Sequence, residues 1–164
     1  VLGLLNSSLI WWFYNQISNQ IRGGFVRYIG QYVSQIPIPD SALVAAQEDQ
    51  LAHKVELLTF LENAVIDHPN PRDPLMRDYY EDLLNALVYE LYLPDDLHAA
   101  GLKFFDLVAA AKLPVVNPDA DDSAERIKDL RTKFEEIYEP SHPLRAALQK
   151  LRTLEPIRII EGKA

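Results

Sequence analysis

The feature that most constrains the fold is the close spacing of residues that end helices and strands within residues 4–39, which read LLNSSLIWWFYNQISNQIRGGFVRYIGQYVSQIPIP. Two adjacent glycines allow a reversal at positive φ, and prolines at alternate positions force an extended edge segment. Between these glycines and prolines, and before them, the spacing of apolar and aromatic side chains changes from helical to alternating. The segment predicts a helix from Asn6 or Ser7 to about Ile21, a turn at Gly23 and Gly24, a strand over 25–28, a short helix over 29–34 and a closing strand over 36–39.

Residues 40–164 show longer helical patterns. They predict a long helix from Asp40 or Ser41 to about Asp67, and then a helix with Asp73 as N-cap that Pro94 closes. A third helix is predicted from Asp95 or Asp96 to about Ala111, and a fourth begins behind a capping box at Asp122 and Glu125. A last helix starts at Pro143, and a short strand is predicted over 157–160. In the long helix the expected apolar stripe is Val44, Leu51, Leu58 and Val65, widened by Val55 and Leu61, with polar Gln47 and Lys54 in between. The expected fold class is mainly α, with a small α+β part at the N-terminus.

Charge is divided unevenly along the chain. The net charge is −8, from 16 Lys and Arg against 24 Asp and Glu. Residues 1–39 carry +2, from Arg22 and Arg27, so residues 40–164 carry −10. A protein that wraps nucleic acid along its whole length shows a basic footprint, which this chain lacks. Only the first segment is therefore expected to tolerate a phosphate backbone.

Composition and the start of the chain suggest a cytoplasmic protein. The chain has no cysteine, which fits a reducing compartment and excludes a thiolate metal site. Its apolar runs fall far short of the roughly 20 residues that a membrane span needs, so no membrane partner is expected. It begins at Val1 inside an apolar run, without an initiator Met or a signal-peptide pattern. We therefore expect a piece of a longer protein.

Three stretches of the first segment match the motifs of a known family in order and spacing. LLNSSLIWWFYNQIS is similar to its Leu-Asn-Ser helix, Arg22-Gly23-Gly24-Phe25 to its Arg-Gly-Gly-aromatic turn, and Gln31-Tyr32 with Ile36-Pro37-Ile38-Pro39 to its Gln-Tyr and Pro-Ile-Pro close. Residues 87–92 resemble its Leu-Val-Tyr-x-Leu-Tyr helix, although Asn85 replaces an acidic residue and Leu93-Pro94 a Gly-Leu. The chain thus resembles the C-terminal part of a TaqI-like specificity (target-recognition) domain of adenine-specific DNA methyltransferases and type IIG restriction-modification enzymes.

The resemblance implies three parts and a larger enzyme. Residues 1–39 would end the DNA-recognition domain, residues 40–67 would form a long connecting helix, and residues 73–164 a helical C-terminal subdomain. The parent enzyme would use S-adenosylmethionine, and Mg²⁺ if a nuclease is fused to it. Its partners would be double-stranded DNA and the remaining domains of the same polypeptide. The expected function of this chain is non-catalytic DNA recognition and scaffolding. Two alternatives stay open: a fragment of a specificity subunit of a multi-subunit restriction system, and a helical protein-interaction module without a DNA role.

The candidate DNA contacts are Arg22, Gly23, Gly24, Arg27 and Tyr28. The glycines let a backbone approach another surface closely, and the arginines flank the turn with forked donors suited to phosphates or a guanine edge. The alternative is that the glycines only end a helix and that the arginines pair with carboxylates of the acidic part.

No catalytic or metal site is expected within the chain. A methyltransferase needs a Gly-rich cofactor loop and an Asn/Asp-Pro-Pro-aromatic motif that holds the flipped adenine, and neither occurs. Glu161 and Lys163, with Pro118-Asp119, could imitate a metal-dependent nuclease site, but helices are predicted between them. The simpler interpretation is a charged C-terminal end. The four histidines lack ligand spacing, and the Tyr-rich helix of residues 76–92 reads as core.

Overall fold

The computed structural model describes residues 2–21, 25–39, 41–67, 69–116 and 123–163. This part of the chain is mainly helical with one small two-stranded sheet, which confirms the expected fold class. Its elements are α1 (Leu2–Leu5), α2 (Ser8–Ile17), β1 (Gln20–Ile21), β2 (Phe25–Val26), α3 (Gly30–Val33), α4 (Ser41–Asp67), α5 (Asp73–Tyr92), α6 (Pro94–Ala99), α7 (Phe104–Ala111), α8 (Ser123–Tyr138), α9 (Pro143–Leu151) and α10 (Glu155–Ile160). Within these residues no helix is long and apolar enough to cross a membrane.

Helix α2, the first helix that the sequence predicts, starts as predicted but ends early. The Ser7 Oγ caps α2 by accepting a hydrogen bond from the Ile10 N–H at 3.3 Å. The prediction that this helix reaches Ile21 is wrong. It ends at Ile17, and β1 pairs antiparallel with β2 in the register Gln20 to Val26. The backbone groups of residues 20 and 21 find partners across this hairpin, which replaces one further helical turn.

The other short elements are confirmed in part. The predicted short helix is present as α3, and the predicted strand over 25–28 is limited to Phe25–Val26. The predicted closing strand over 36–39 is wrong, because these residues pair with no strand in the described part of the chain. Two of the four are prolines, which lack the N–H that a ladder requires. The segment is held instead by the Tyr92 hydroxyl, which donates to the Pro37 carbonyl at 2.7 Å.

The long helix is confirmed, but its buried side differs from the predicted stripe. Helix α4 spans 27 residues and ends at Asp67, as expected. Among its described side chains, Leu58 and Val65 are only half buried, and the buried ones are Leu51, Lys54, Leu57, Phe60, Leu61 and Ala64. Helix α4 packs against α1, α5, α7 and α8, so its buried surface is wider than a seven-residue repeat allows.

Helix α5 forms the centre of the fold, with more than half of its 20 residues buried. Asp73 is its first residue and not the predicted N-cap, a position that Arg72 takes. The Asp73 carboxylate accepts two hydrogen bonds from Arg131, at 2.9 and 2.7 Å, and one from the Asn70 N–H at 2.7 Å. These partners draw the side chain away from the capping geometry, and the bidentate pair ties α5 to α8.

The helix predicted from Asp95 or Asp96 to Ala111 is two helices, α6 and α7. Gly101 has a φ of 72°, and the Leu102 N–H binds the Leu97 carbonyl across it at 2.9 Å, which is a Schellman end. The buried Glu90 then caps α7 by accepting a hydrogen bond from the Phe105 N–H at 2.9 Å.

The C-terminal residues contain a second correction. Helix α9 begins at Pro143 as predicted, with the His142 ring as its cap. The predicted strand over 157–160 is wrong, because these residues belong to α10. A proline is tolerated in the first turn of a helix, where no intrahelical donor is needed, and Pro156 occupies that position. Ile157 is buried and Ile159 exposed, and Ile160 packs on the core again, which is helical spacing.

The first 39 residues pack onto the helices that follow. Leu4 and Leu9 belong to the main apolar core, and the Ser8 N–H donates to the Asn85 Oδ1 of α5 at 2.8 Å. A second, small core consists of Ile10, Tyr14 and Ile36. This small core fixes the hairpin and the 27–29 segment that leaves it.

Candidate nucleic-acid interface

Two of the predicted DNA contacts lie in the segment of residues 27–29, which follows β2. Arg22, Gly23 and Gly24 lie outside the described residues. Arg27 and Tyr28 are both described, and both are exposed. They stand side by side between β2 and α3, in a segment that has no regular secondary structure.

The Arg27 side chain is exposed to solvent. No hydrogen bond or ion pair joins its guanidinium to a carboxylate in the part of the chain that the structure describes. The alternative interpretation, that the arginines pair with the acidic part, therefore finds no support at Arg27. Residues 1–39 contain no acid, so no carboxylate of this segment competes for the cation.

Tyr28 presents most of its surface to solvent, with 68% exposed. Its ring stacks on the ring of Tyr14 with centroids 4.8 Å apart and an angle of 22° between the planes. Tyr14 itself is only 1% exposed. The exposed ring is therefore supported from below by a buried one, which limits the orientations that it can take.

The Tyr14 hydroxyl holds the backbone on both sides of Tyr28. It donates to the Arg27 carbonyl at 2.6 Å and accepts a hydrogen bond from the Ile29 N–H at 3.1 Å. The sequence analysis did not single out this residue. The available signal was a tyrosine on an apolar helix just before a turn, because a buried tyrosine hydroxyl needs a polar partner.

Several apolar side chains near the hairpin are also exposed. Ile29, Val33 and Ile38 have 46%, 39% and 57% of their surface in contact with solvent. Together with Arg27 and Tyr28 they give this end of the molecule a basic and apolar character. Both properties suit a surface that contacts the backbone and sugars of a nucleic acid.

A concave surface elsewhere on the molecule is acidic. A cleft of about 580 Å³ is lined by residues of α2, α5 and the C-terminal end of the described chain. Its lining includes Trp11, Trp12, Asp78, Glu81, Asp82 and Glu161. Burial raises the pKa of the Glu81 and Asp82 carboxyls, and Asp82 is paired with Arg152. Four carboxylates against two cations, Arg152 and Lys163, make this cleft unsuitable for phosphates.

The residues considered for catalysis do not form a site in the described part of the chain. Glu161 and Lys163 pair with each other at 2.6 Å behind a helix, and Pro118-Asp119 lies outside the described residues. His98 contacts Glu90 at 2.8 Å and His53 contacts the Pro114 carbonyl at 2.9 Å. Among the described residues no three His, Asp or Glu side chains are grouped as metal ligands.

Comparison with known families gives a match at the N-terminal end of the chain. Residues 1–38 match the family of TaqI-like C-terminal specificity domains. The match ends just before α4 and includes Tyr14 and the whole 27–29 segment. It indicates a role in DNA recognition within a restriction-modification system. No curated protein and no solved structure matches the chain.

Proposed function

We propose that this chain is a non-catalytic DNA-recognition and scaffold part of a restriction-modification enzyme. The observation that carries the proposal is the coincidence of two features in the same residues. The 38 residues that match the specificity-domain family are also the acid-free part of an otherwise acidic chain. Within them, the exposed Arg27 and Tyr28 stand on a firmly supported segment.

The role of Arg27 in this proposal is to contact a phosphate. Phosphate contacts fix the register and orientation of a protein on the duplex, and they carry little sequence information themselves. One or two arginines suffice to position the end of a larger recognition domain. Reading of the bases then falls to other parts of the parent enzyme.

We further propose that the parent enzyme methylates adenine at N6 with S-adenosylmethionine, with or without a fused Mg²⁺-dependent endonuclease. The cofactor loop and the adenine pocket are absent from this sequence, so they belong to other domains of the polypeptide. The helices of residues 41–163 would then serve as the scaffold that carries the recognition segment. DNA is the partner of the parent enzyme through that segment.

The test uses the intact enzyme with Arg22→Ala and Arg27→Ala combined. DNA affinity is measured by fluorescence anisotropy over a series of salt concentrations. Each lost phosphate contact lowers the slope of log affinity against log salt by about 0.9, so the double variant should lose up to about two units of slope. Arg77→Ala is the control for the loss of one arginine charge, because it removes a cation from the acidic part, where Arg77 faces Glu62 and Asp78. An unchanged slope in the double variant would assign these arginines to the scaffold.

A specificity subunit of a multi-subunit restriction system is the second candidate. The observation that favours it is the long helix α4, which follows directly after the Pro-Ile-Pro segment. Sequencing the gene upstream of Val1 separates the two. An Asn-Pro-Pro-aromatic motif there supports the methyltransferase, and a second recognition half without that motif supports the subunit.

A further inference from the structure

The 27–29 segment is irregular, yet it is held at both ends by one side chain. The Tyr14 hydroxyl uses its donor on the Arg27 carbonyl and an acceptor lone pair on the Ile29 N–H, at 2.6 and 3.1 Å. The two bonds bracket Tyr28 in the chain. One buried side chain thus fixes the backbone positions from which Arg27 and Tyr28 project.

The ring of Tyr14 adds a second constraint. It stacks on Tyr28 at 4.8 Å and meets the ring of Tyr32 edge-on at 6.5 Å. Because Tyr14 is almost fully buried on α2, which is packed against α5, its position is set by the core. The orientation of the exposed Tyr28 therefore depends on a residue that DNA never touches.

We propose that Tyr14 is a positioning residue, which holds Arg27 and Tyr28 in one conformation before DNA arrives. This inference rests on the proposed function, since it assumes that Arg27 and Tyr28 meet DNA. A segment that is already ordered loses less conformational freedom on binding, and this raises affinity without any new contact. Without the hydroxyl, the same side chains would have to be ordered at the moment of binding.

The test is Tyr14→Phe, which keeps the ring and removes the hydroxyl. In this chain, amide hydrogen exchange at Ile29 should become faster, because its N–H loses its partner. In the intact enzyme, DNA affinity should fall roughly 3- to 10-fold, the effect of leaving one or two side chains to be ordered on binding. The salt slope should stay unchanged, because Arg27 still reaches its phosphate. That combination separates positioning from direct contact, since Arg27→Ala lowers the slope.

Tyr92→Phe is the matched control. It also removes a hydroxyl that donates to a backbone carbonyl of the first segment, but at Pro37, beyond the 27–29 segment. Its DNA affinity should equal that of the unmodified enzyme, and circular dichroism should show that both variants keep their helices. An equal loss of affinity in Tyr92→Phe would overturn the positioning role, because the effect would then be general loosening of the small core.

Two further results would overturn the inference in different ways. If Ile29 exchange is unchanged in Tyr14→Phe, the hydroxyl does not hold the segment. If exchange accelerates and affinity stays the same while the arginine variants lose slope, the proposed function stands and the positioning role is refuted. If the arginine variants also bind normally, the proposed function fails and this inference fails with it.

Discussion

Lys54 offers a stability test that is independent of any DNA role. It lies on the buried side of α4 with only 3% of its surface exposed. No ion pair to Lys54 is found in the part of the chain that the structure describes. Burial lowers its pKa to about 8 from the ordinary value of 10.5. A cation in this position opposes folding, so Lys54→Met should stabilise the protein at pH 7.

The size and the pH dependence of the stabilisation by Lys54→Met follow from the lowered pKa of Lys54. One pKa unit corresponds to about 1.4 kcal/mol, so the charge destabilises the folded chain by roughly 3 kcal/mol at most. Below pH 8 the lysine is charged in both states, and the full penalty is present. Between pH 8 and about 10.5 the unfolded chain binds more protons than the folded chain, so the free energy of unfolding rises with pH. Above that range the penalty is gone.

Urea unfolding of the two proteins at several pH values measures this directly. The difference in the free energy of unfolding should favour Lys54→Met by about 1 to 3 kcal/mol at pH 7 and should shrink steadily from pH 8 to pH 10. Taking the difference removes the titration of tyrosines and other lysines, which both proteins share. A variant that is less stable at pH 7 would refute the reasoning, because it would show that the buried ammonium group does not oppose folding.

Four other predictions concern single features. A double-mutant cycle with Asp73→Asn and Arg131→Met should give a coupling free energy of roughly 2 kcal/mol. This value is below the about 3 to 5 kcal/mol of a broken buried pair, because the Arg131 side chain stays 27% exposed. The same cycle on the exposed Arg72–Glu135 pair should give less than about 1 kcal/mol, and equal values would contradict this ranking. The isolated chain should transfer no labelled methyl group from S-adenosylmethionine to DNA, and counts above a blank without protein would disprove this. Mg²⁺ or Mn²⁺ should elicit no cleavage of plasmid DNA, and nicking that Glu161→Ala abolishes would revive a nuclease site. The isolated chain should bind DNA more weakly than about 10⁻⁴ M at physiological salt, since it offers one or two phosphate contacts, and micromolar binding would disprove this.

Element boundaries were predictable where the sequence itself supplies the stop or the start. Helix α9 begins at Pro143 and α4 ends at Asp67 as expected, and Ser7 caps α2. A capping side chain or a proline acts on its own neighbours, so its effect can be read locally. The same local rule failed at Asp73, whose carboxylate binds Arg131 on a distant helix.

The break between α6 and α7 shows why other boundaries were missed. Leu97 and Phe104 are seven residues apart, so the apolar pattern continues across Gly101 without interruption. What ends the helix is the positive φ of that glycine, and what starts the next one is Glu90, fifteen residues before the N–H that it binds. The spacing of apolar residues carries no information about a cap that another helix supplies.

The candidate site divides in the same way. Arg27 and Tyr28 could be named as candidate contacts from the sequence because the lack of acids and the turn motif are local properties. Tyr14 was missed because its role depends on a contact across thirteen residues, through the hairpin. The proposed contact residues leave a compositional signal, whereas the residue that supports them looks like ordinary core.

The uneven charge explains how an acidic chain can contribute to DNA recognition. At physiological ionic strength, exposed charges interact over only about 8 Å, so the environment of Arg27 matters more than the net charge of −8. The acid-free segment places no carboxylate beside that arginine in the sequence. The acidic residues gather instead around surfaces such as the Trp11 cleft, formed by α2, α5 and the C-terminal residues. Under the proposed function, a phosphate backbone is attracted at Arg27 and repelled at the cleft, and this contrast would favour one orientation of the fragment on DNA.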